Sequence, residues 1–346
     1  MEAQDQSVMP PILQHLVEMT GHRDHLRLEV SVLTTLLQLG RSMEVRALEF
    51  FFSDAHVMVR PRSWSQHGQI ISSECEAVAD PARGALANMP ELAACIRDRC
   101  ASAVRSSAGS HALWLPVWIN DKAHGCLEII QPTPFTRRQR DVITGIFQVY
   151  QNYQNLLDYS ERDALTGLLN RKTFEEQFVR SAQPGPEFGL PEPNAQDWPQ
   201  QWLAVIDIDH FKQVNDVYGH LYGDEVLILV ANLLRSSFRA HDRIFRFGGE
   251  EFVVLLRSTT LGNAAQAFER FRATVQEHMF PQIGGITVSI GFTSAIDGAP
   301  VEVLGRADQA LYYAKARGRN QVRFYDELLQ QGEVQSQITH GEIELF

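Results

Sequence analysis

Cysteine is scarce in this chain and poorly placed for the chemistry that needs it. The four cysteines, Cys75, Cys95, Cys100 and Cys126, include no CxxC pair and no histidine at zinc-finger spacing. That pattern excludes a structural zinc motif and a disulfide framework, and leaves reduced thiols in a cytosolic protein as the expectation. Positive charge is also short, with 31 Lys+Arg against 42 Asp+Glu and a net charge of −11. A nucleic-acid scaffold normally presents a basic face, so none is expected as a partner. A bound nucleotide stays open, because a few local cations suffice for a triphosphate. Long apolar runs are missing too. The longest, such as "ALWLPVW" from Ala112, fall far short of the ~20 residues that a membrane span requires. The opening "MEAQDQSVMP" has neither a basic nor an apolar signal region, so no signal peptide is expected, and the expected location is cytoplasmic.

What is present is an ordinary globular composition, 44% hydrophobic and 21% charged over 346 residues. That length accommodates two domains, each with its own core. Residues 1 to about 20 read as a short leader. From Leu26 to about Phe52, apolar residues recur at helical spacing. Extended pieces "HVMVRP" and "QIISSE", a helix around "ELAACIRDRCA", and a hairpin turning near Asn120 and Asp121 follow. "FTRRQRDVITGIFQVYQNYQNLLDYSERD" lacks proline and is rich in helix formers. Its Ile143, Ile146, Tyr150, Tyr153 and Leu157 step by three and four residues. Two readings stand for that seam: a helix lying on its own domain, or a parallel dimer helix between two domains. A second α/β unit begins at Asp163. It is interrupted by an insert over 184–199, with four prolines from Pro184 to Pro193 and another at Pro199, which reads as an exposed loop. The remaining order is βαββαβ plus additions, an α+β palm-like arrangement, followed by a polar tail.

The chemistry concentrates in two places. "RIFRFGGEEFVVLL" reads as two strands joined by a turn that carries Glu250 and Glu251. Gly248 and Gly249 permit positive φ there and let a ligand approach the backbone. "VIDIDHFKQVND" reads as a buried strand ending in Asp207 and Asp209. Alternating residues point to opposite faces, so only one of these two aspartates, with the carbonyl between them, faces the hairpin tip. Together with Glu250 this gives hard oxygen ligands for a divalent cation such as Mg²⁺. The competing reading is a solvated turn in which Asp209 caps a helix. In "YAKARGRN", Lys315 and Arg319 stand four apart, so on one helix face both reach a single anion. Cations at a helix end closed by Gly318 is the competing reading.

These motifs resemble the GGDEF diguanylate cyclases. "RFGGEEF" is the glutamate variant of the family signature. Around it, in order, lie "DALTGLLNR" (163–171), "DIDHFKQVND" (207–216), "GHLYGDEVL" (219–227), "TVSIG" (287–291) and "ALYYAKARGRN" (310–320). The resemblance implies an enzyme that joins two GTP molecules into cyclic di-GMP with release of pyrophosphate, and acts as a homodimer because each domain holds one GTP. It implies that Asp207, the Ile208 carbonyl and Glu250 hold Mg²⁺, with Glu250 also activating the attacking 3′-hydroxyl. Asn215 and Asp224 would read guanine. The backbone around Phe211 and Lys212, with the side chains of Lys315 and Arg319, would hold phosphates. "RAHD", Arg239 to Asp242, stands where the family places a product-binding inhibitory motif, with Arg270 as its secondary arginine. An ordinary surface Arg–Asp pair at i, i+3 is the competing reading there.

The front of the chain resembles a GAF sensor in "LWLPVWINDKAHGCLEIIQPTPFTRRQRDVI". The expected organisation is a GAF-like domain over 1–133, a linking helix over 134–162, a GGDEF domain over 163–326 and a polar tail over 327–346. Cys126 is expected in the core, and His111 and His124 are not expected to be ligands. A non-catalytic receptor for GTP or cyclic di-GMP is the alternative function. Loss of a carboxylate ligand or a guanine reader would favour it, and all are present. A palm-type transferase acting on nucleic acid fits the strand order but not the charge.

Overall fold

The computed structural model describes residues 11–40, 43–53, 56–72, 84–181, 200–239, 242–296 and 298–335. The proline-rich insert, Cys75 and the last residues of the expected tail lie outside them. The chain divides into two compact units, Met1–Ser160 and Glu161–Phe346.

The first unit contains α1 (Pro11–Gly21), α2 (His25–Leu37), β1 (Glu44–Ser53), β2 (His56–Gln66), β3 (Gln69–Ser72), β4 (Gly84–Ala85), α3 (Pro90–Arg97), β5 (Ala103–Ser107), β6 (Ser110–Ile119), β7 (Lys122–Gln131) and α4 (Arg137–Glu161). Its sheet runs β3-β2-β1-β7-β6-β5, with β4 also paired to β2. Residues 11–21 are no loose leader, since they form a helix that buries Met19 in the core. The expected helix to Phe52 is also corrected. It ends at Leu37, and Glu44 onward is strand β1, paired on both sides with β2 and β7. Met43 and Leu48 continued the helical spacing by coincidence, and two neighbouring strands took up the backbone groups of an aromatic-rich run. The hairpin β6–β7 turns at Asn120 and Asp121, both at positive φ of 49° and 62°.

Helix α4 settles which side its seam faces. Ile143, Ile146, Tyr150 and Leu157 are buried with α1, α2 and strands β1, β6 and β7, and Tyr153 packs against the same cluster. The seam read from the sequence packs into its own unit's core, as the first of the two readings has it. The apolar side chains that α4 leaves exposed are Val142, Leu156 and Tyr159.

The second unit contains β8 (Leu169–Asn170), α5 (Arg171–Ser181), β9 (Gln200–Ile208), α6 (Phe211–Tyr218), α7 (His220–Ser237), β10 (Arg243–Gly248), β11 (Glu251–Thr259), α8 (Leu261–Glu277), the short pair β12 (Met279–Phe280) and β13 (Gly284–Gly285), β14 (Val288–Ser294), α9 (Pro300–Ala316), β15 (Val322–Phe324) and α10 (Tyr325–Gln330). The main sheet runs β15-β14-β9-β11-β10-β8. Strand alternation sorts its two faces. Trp202, Ala204, Ile206 and Ile208 of β9 pack with α6, α7 and α8, whereas Leu203 and Val205 pack with α5 and α9. Asp207 and Glu251 follow the second set, so both carboxylates stand on the α9 face. Leu328 of α10 is buried with Ala310 and Tyr325. Packed structure thus continues past residue 327, where only a polar tail was expected.

Candidate functional site

The site grows from the ends of β9 and β11. These strands pair antiparallel, and the register sets Glu251 opposite Asp207, while β14 sets Ser289 opposite Asp207 on its other side. The turn between β10 and β11 holds Gly248 at φ 151° and Gly249 at φ 48°, a backbone that L side chains rarely adopt. Glu250 follows directly, so its carboxylate is carried at the tip, one residue from the Asp207–Glu251 pair.

Asp207 is 5% exposed. Burial pushes its carboxyl up to about 6, Lys315 opposes the shift, and the charges of Glu250 and Glu251 add to it. Burial also raises Glu251, assisted by Asp308 and Glu250. These carboxylates therefore crowd one another in a half-dry corner, an arrangement that a divalent cation relieves. Their oxygens, with the Ile208 carbonyl, are the hard donors that Mg²⁺ prefers. Among the described residues, no three His, Cys, Asp or Glu side chains are gathered into a metal-holding group. Lys315 Nζ lies 2.8 Å from Asp207 Oδ2.

Asp209 plays a different part from Asp207, and it does not cap α6. The N-cap of that helix is His210, at φ 60°, with no side-chain cap bond. The Asp209 carboxylate accepts from Thr287 Oγ1 and Ser289 Oγ, each at 2.7 Å, and from Asn320 N at 3.0 Å. It is a strut that ties β9 to β14 and to the turn after α9. Arg319 sits on that turn, exposed, at φ 62°. Helix α9 ends at Ala316. Lys315 and Arg319 therefore do not share a helix face, and it is Asp209, gripping Asn320, that places Arg319.

Helix α6 starts three residues after β9 ends, at Phe211, which is buried, and Lys212, which is exposed. First-turn amides have no carbonyl one turn earlier in the helix, so these two N–H groups are open to an anion. The Asn215 side chain of α6 lies against α7 at Gly223, the residue before Asp224. A Cβ built on Gly223 would stand 2.0 Å from Asn215 Oδ1 and 3.2 Å from Phe211 Cζ. Glycine there is what lets the Asn215 amide lie against α7. If Asn215 and Asp224 read guanine as the sequence resemblance implies, Gly223→Ala is expected to weaken GTP binding roughly tenfold, the worth of about one displaced hydrogen bond of 1.4 kcal/mol, with the melting temperature little changed. Titration of GTP binding by calorimetry checks it, and an unaltered affinity contradicts the placement.

Away from this corner, Arg239 and Asp242 bracket the step from α7 to β10. Arg239 N donates to Asp242 Oδ2 at 2.9 Å, and Asp242 N donates to Arg239 O at 3.0 Å. Asp242 also accepts from Arg257 N at 3.3 Å. The aspartate thus holds the turn through the backbone while the Arg239 side chain is exposed. Arg270 on α8, also exposed, donates to Ser237 O at 3.0 Å, which brings both arginines to the end of α7. Cys126 is buried, and burial pushes its thiol well up, as a core position requires.

The sequence assigned metal binding to Glu250 and passed over Glu251 and Asp308. Burial also raises the Asp308 carboxyl, opposed by Lys315. The period-2 alternation of β11 was visible in advance. Its pairing partner was not.

Comparison with known proteins finds its family match in the second unit, beginning one residue before it. Residues 160–321 match the family profile "Diguanylate cyclase, GGDEF domain". Diguanylate cyclase DgcP of Pseudomonas aeruginosa is 44% identical over 165 residues, which cover 46% of this chain and 23% of that protein. Diguanylate cyclase DgcZ of Escherichia coli is 38% identical over 175 residues, covering 49% of this chain and 54% of that one. The chain therefore spans about half or less of the length of these curated relatives. Among solved structures, the GGDEF domain of DgcB from Caulobacter crescentus in complex with c-di-GMP is 34% identical, with 48% of this chain and 94% of that one covered and a TM-score of 0.43. By motif order and by the profile match, residues 160–321 of the chain are similar to the GGDEF diguanylate cyclase domain family.

Proposed function

We propose that the whole protein is a diguanylate cyclase that condenses two GTP into cyclic di-GMP and two pyrophosphates. The observation that carries this reading is the corner itself. Glu251 stands opposite Asp207 across the β9–β11 pair, Glu250 precedes it on the turn, and Lys315 pairs with Asp207, with open helix amides at Phe211 and Lys212 and Asn215 and Asp224 on successive helices. Asp224 accepts from the guanine N1–H and exocyclic amine, and the Asn215 amide completes the edge. Phe211 N, Lys212 N and Arg319 hold the phosphates. Lys315, held by Asp207, is within reach of phosphate oxygens as well. Glu250, at the exposed tip of the turn, takes the proton of the 3′-hydroxyl as that oxygen attacks the α-phosphorus of the other GTP and pyrophosphate departs. Bound Mg²⁺ would neutralise phosphate charge and be held by Asp207, the Ile208 carbonyl and the glutamates. Each domain holds one GTP, so the active species is a homodimer that brings two corners face to face. GTP as substrate places the protein in the cytoplasm, and no described helix is long and apolar enough to cross a membrane.

Two regulatory features belong to the same proposal. The first unit acts as a GAF-like sensor. The exposed Arg239 and Arg270 bind the product, which guanidinium groups grip through phosphate and stack upon through purine. Arg239→Ala is accordingly expected to remove product inhibition, so that GTP consumption proceeds several-fold further before slowing, with the initial rate unchanged. A progress curve that still stalls early counts against the site. The proposal as a whole is tested by incubating the full-length protein with GTP and Mg²⁺ and separating the nucleotides. Cyclic di-GMP and pyrophosphate in a 1:2 ratio are expected. GTP binding without turnover would establish the receptor alternative instead.

A further inference from the structure

One arginine that the proposed reaction does not use holds the tip of the β10–β11 hairpin. Arg246 lies on β10 with its side chain 11% exposed. Its Nε and Nη2 both donate to the Gly249 carbonyl, at 3.1 and 2.9 Å, and its Nη1 donates to Asp163 Oδ1 at 2.9 Å. The Gly249 carbonyl belongs to the peptide whose nitrogen is that of Glu250. A guanidinium forked onto it fixes the plane from which the Glu250 side chain departs. A turn of two glycines at positive φ has little else to select one conformation, because glycine has the most backbone freedom to lose.

Asp163 is itself fixed. Its Oδ1 accepts from Thr166 N at 2.8 Å and Thr166 Oγ1 at 2.6 Å, its N donates to Leu168 O at 2.8 Å, and its O accepts from Gly167 N at 2.8 Å. Burial would raise its carboxyl, but the bonds from Thr166 and Arg246 outweigh that and hold it below the usual range. The same segment supports the hairpin twice more. Strand β8 pairs parallel with β10, setting Asn170 beside Arg246, and the Arg171 guanidinium lies 5.7 Å over the Phe247 ring.

We propose that Arg246 and Asp163 form a positioning pair. Together they orient the Gly249–Glu250 peptide so that the Glu250 carboxylate meets the attacking hydroxyl, and they tie that orientation to the residues immediately following α4. Neither touches substrate. The inference rests on the reading of Glu250 given above, and its test separates the two.

Full-length Arg246→Ala, Asp163→Ala and Asp163→Asn are compared with the unaltered chain by hydrogen exchange over residues 247–252 and by GTP kinetics. Arg246→Ala is expected to speed exchange at the turn about tenfold or more while β9 and α7 stay unchanged. It is expected to lower kcat about 10- to 100-fold with KM within about twofold, the scale of an ångström-level misplacement. Asp163→Ala follows it. Asp163→Asn, which keeps an acceptor for Arg246 and Thr166, stays within about threefold of the unaltered chain. Unchanged exchange at the turn overturns the positioning role whatever the activity, and so does a raised KM with kcat intact. Faster exchange in the variant of a chain that makes no product supports the positioning role and sinks the cyclase reading alone. Should Arg246→Ala fail to fold, Arg246→Lys keeps the charge toward Asp163 but cannot fork onto the carbonyl, and it carries the same outcomes.

Discussion

Glu250→Gln is expected to lower cyclic di-GMP synthesis by about three orders of magnitude, the upper range for removing a positioned general base, while the fold and GTP binding survive. The substitution is nearly isosteric and sits on a turn whose geometry is set by Gly248 and Gly249, both at positive φ, rather than by the side chain of residue 250. Nothing in the core depends on this carboxylate, because the hairpin's buried residues, Phe245, Phe252 and Val253, lie on the strands below it. On the proposed mechanism, what is lost is the acceptor for the 3′-hydroxyl proton, together with one negative charge near Asp207. Separation of nucleotides after incubation with GTP and Mg²⁺ reads the first effect, and a thermal melt reads the second. Undiminished product would remove Glu250 from the reaction.

The second large effect is expected at Asp207, and it has two signs. Asp207→Asn abolishes synthesis, because a hard anionic oxygen is lost from the centre of the corner. It also stabilises the metal-free protein. Burial, with the charges of Glu250 and Glu251, raises the Asp207 carboxyl to about 6 despite its contact with Lys315. An acid whose folded value lies above its unfolded value near 3.8 is more easily ionised in the unfolded chain. Its charge therefore costs the folded state stability at every pH above about 6. The cost shrinks as pH falls through the window between about 6 and 4, and it is gone below. The difference between the folded and unfolded values corresponds to roughly 2–3 kcal/mol. Asparagine keeps an acceptor for Lys315 and removes the cost. Scanning calorimetry in chelator is expected to show the variant melting several degrees higher at pH 8 and equally with the unaltered protein near pH 4. A lower melting temperature at pH 8 would show that the Lys315 ion pair outweighs desolvation.

Both predictions concern residues that were legible in the sequence, and the reason is that each is defined by its immediate neighbours. Two glycines before a glutamate specify a turn with positive φ. A continuous apolar run ending in an aspartate specifies a buried strand whose last charged residue emerges at the sheet edge. Asn215 and Asp224 likewise sit where the chain's local spacing puts them, on helices on either side of Gly219. The seam of α4 was visible as a seam, though not what it covers, since an amphipathic stripe reads the same against its own core or against a partner. The helical spacing through Met43 and Leu48 misled for a related reason. A short apolar run fits either period until its strand neighbours are known.

By itself, then, the sequence determined the turn that carries Glu250, the strand that delivers Asp207, the helices that carry Asn215 and Asp224 and the family these motifs resemble, all through patterns within a few residues along the chain. Only the tertiary structure decided that Glu251 faces Asp207, that Lys315 lies on that carboxylate, that Asp209 braces the turn of Arg319, and that Arg246 reaches back to Asp163. Each of these joins segments more than forty residues apart. Side-chain periodicity fixes which way a residue points, but which strand lies next to it is set by how the whole sheet closes around its two cores.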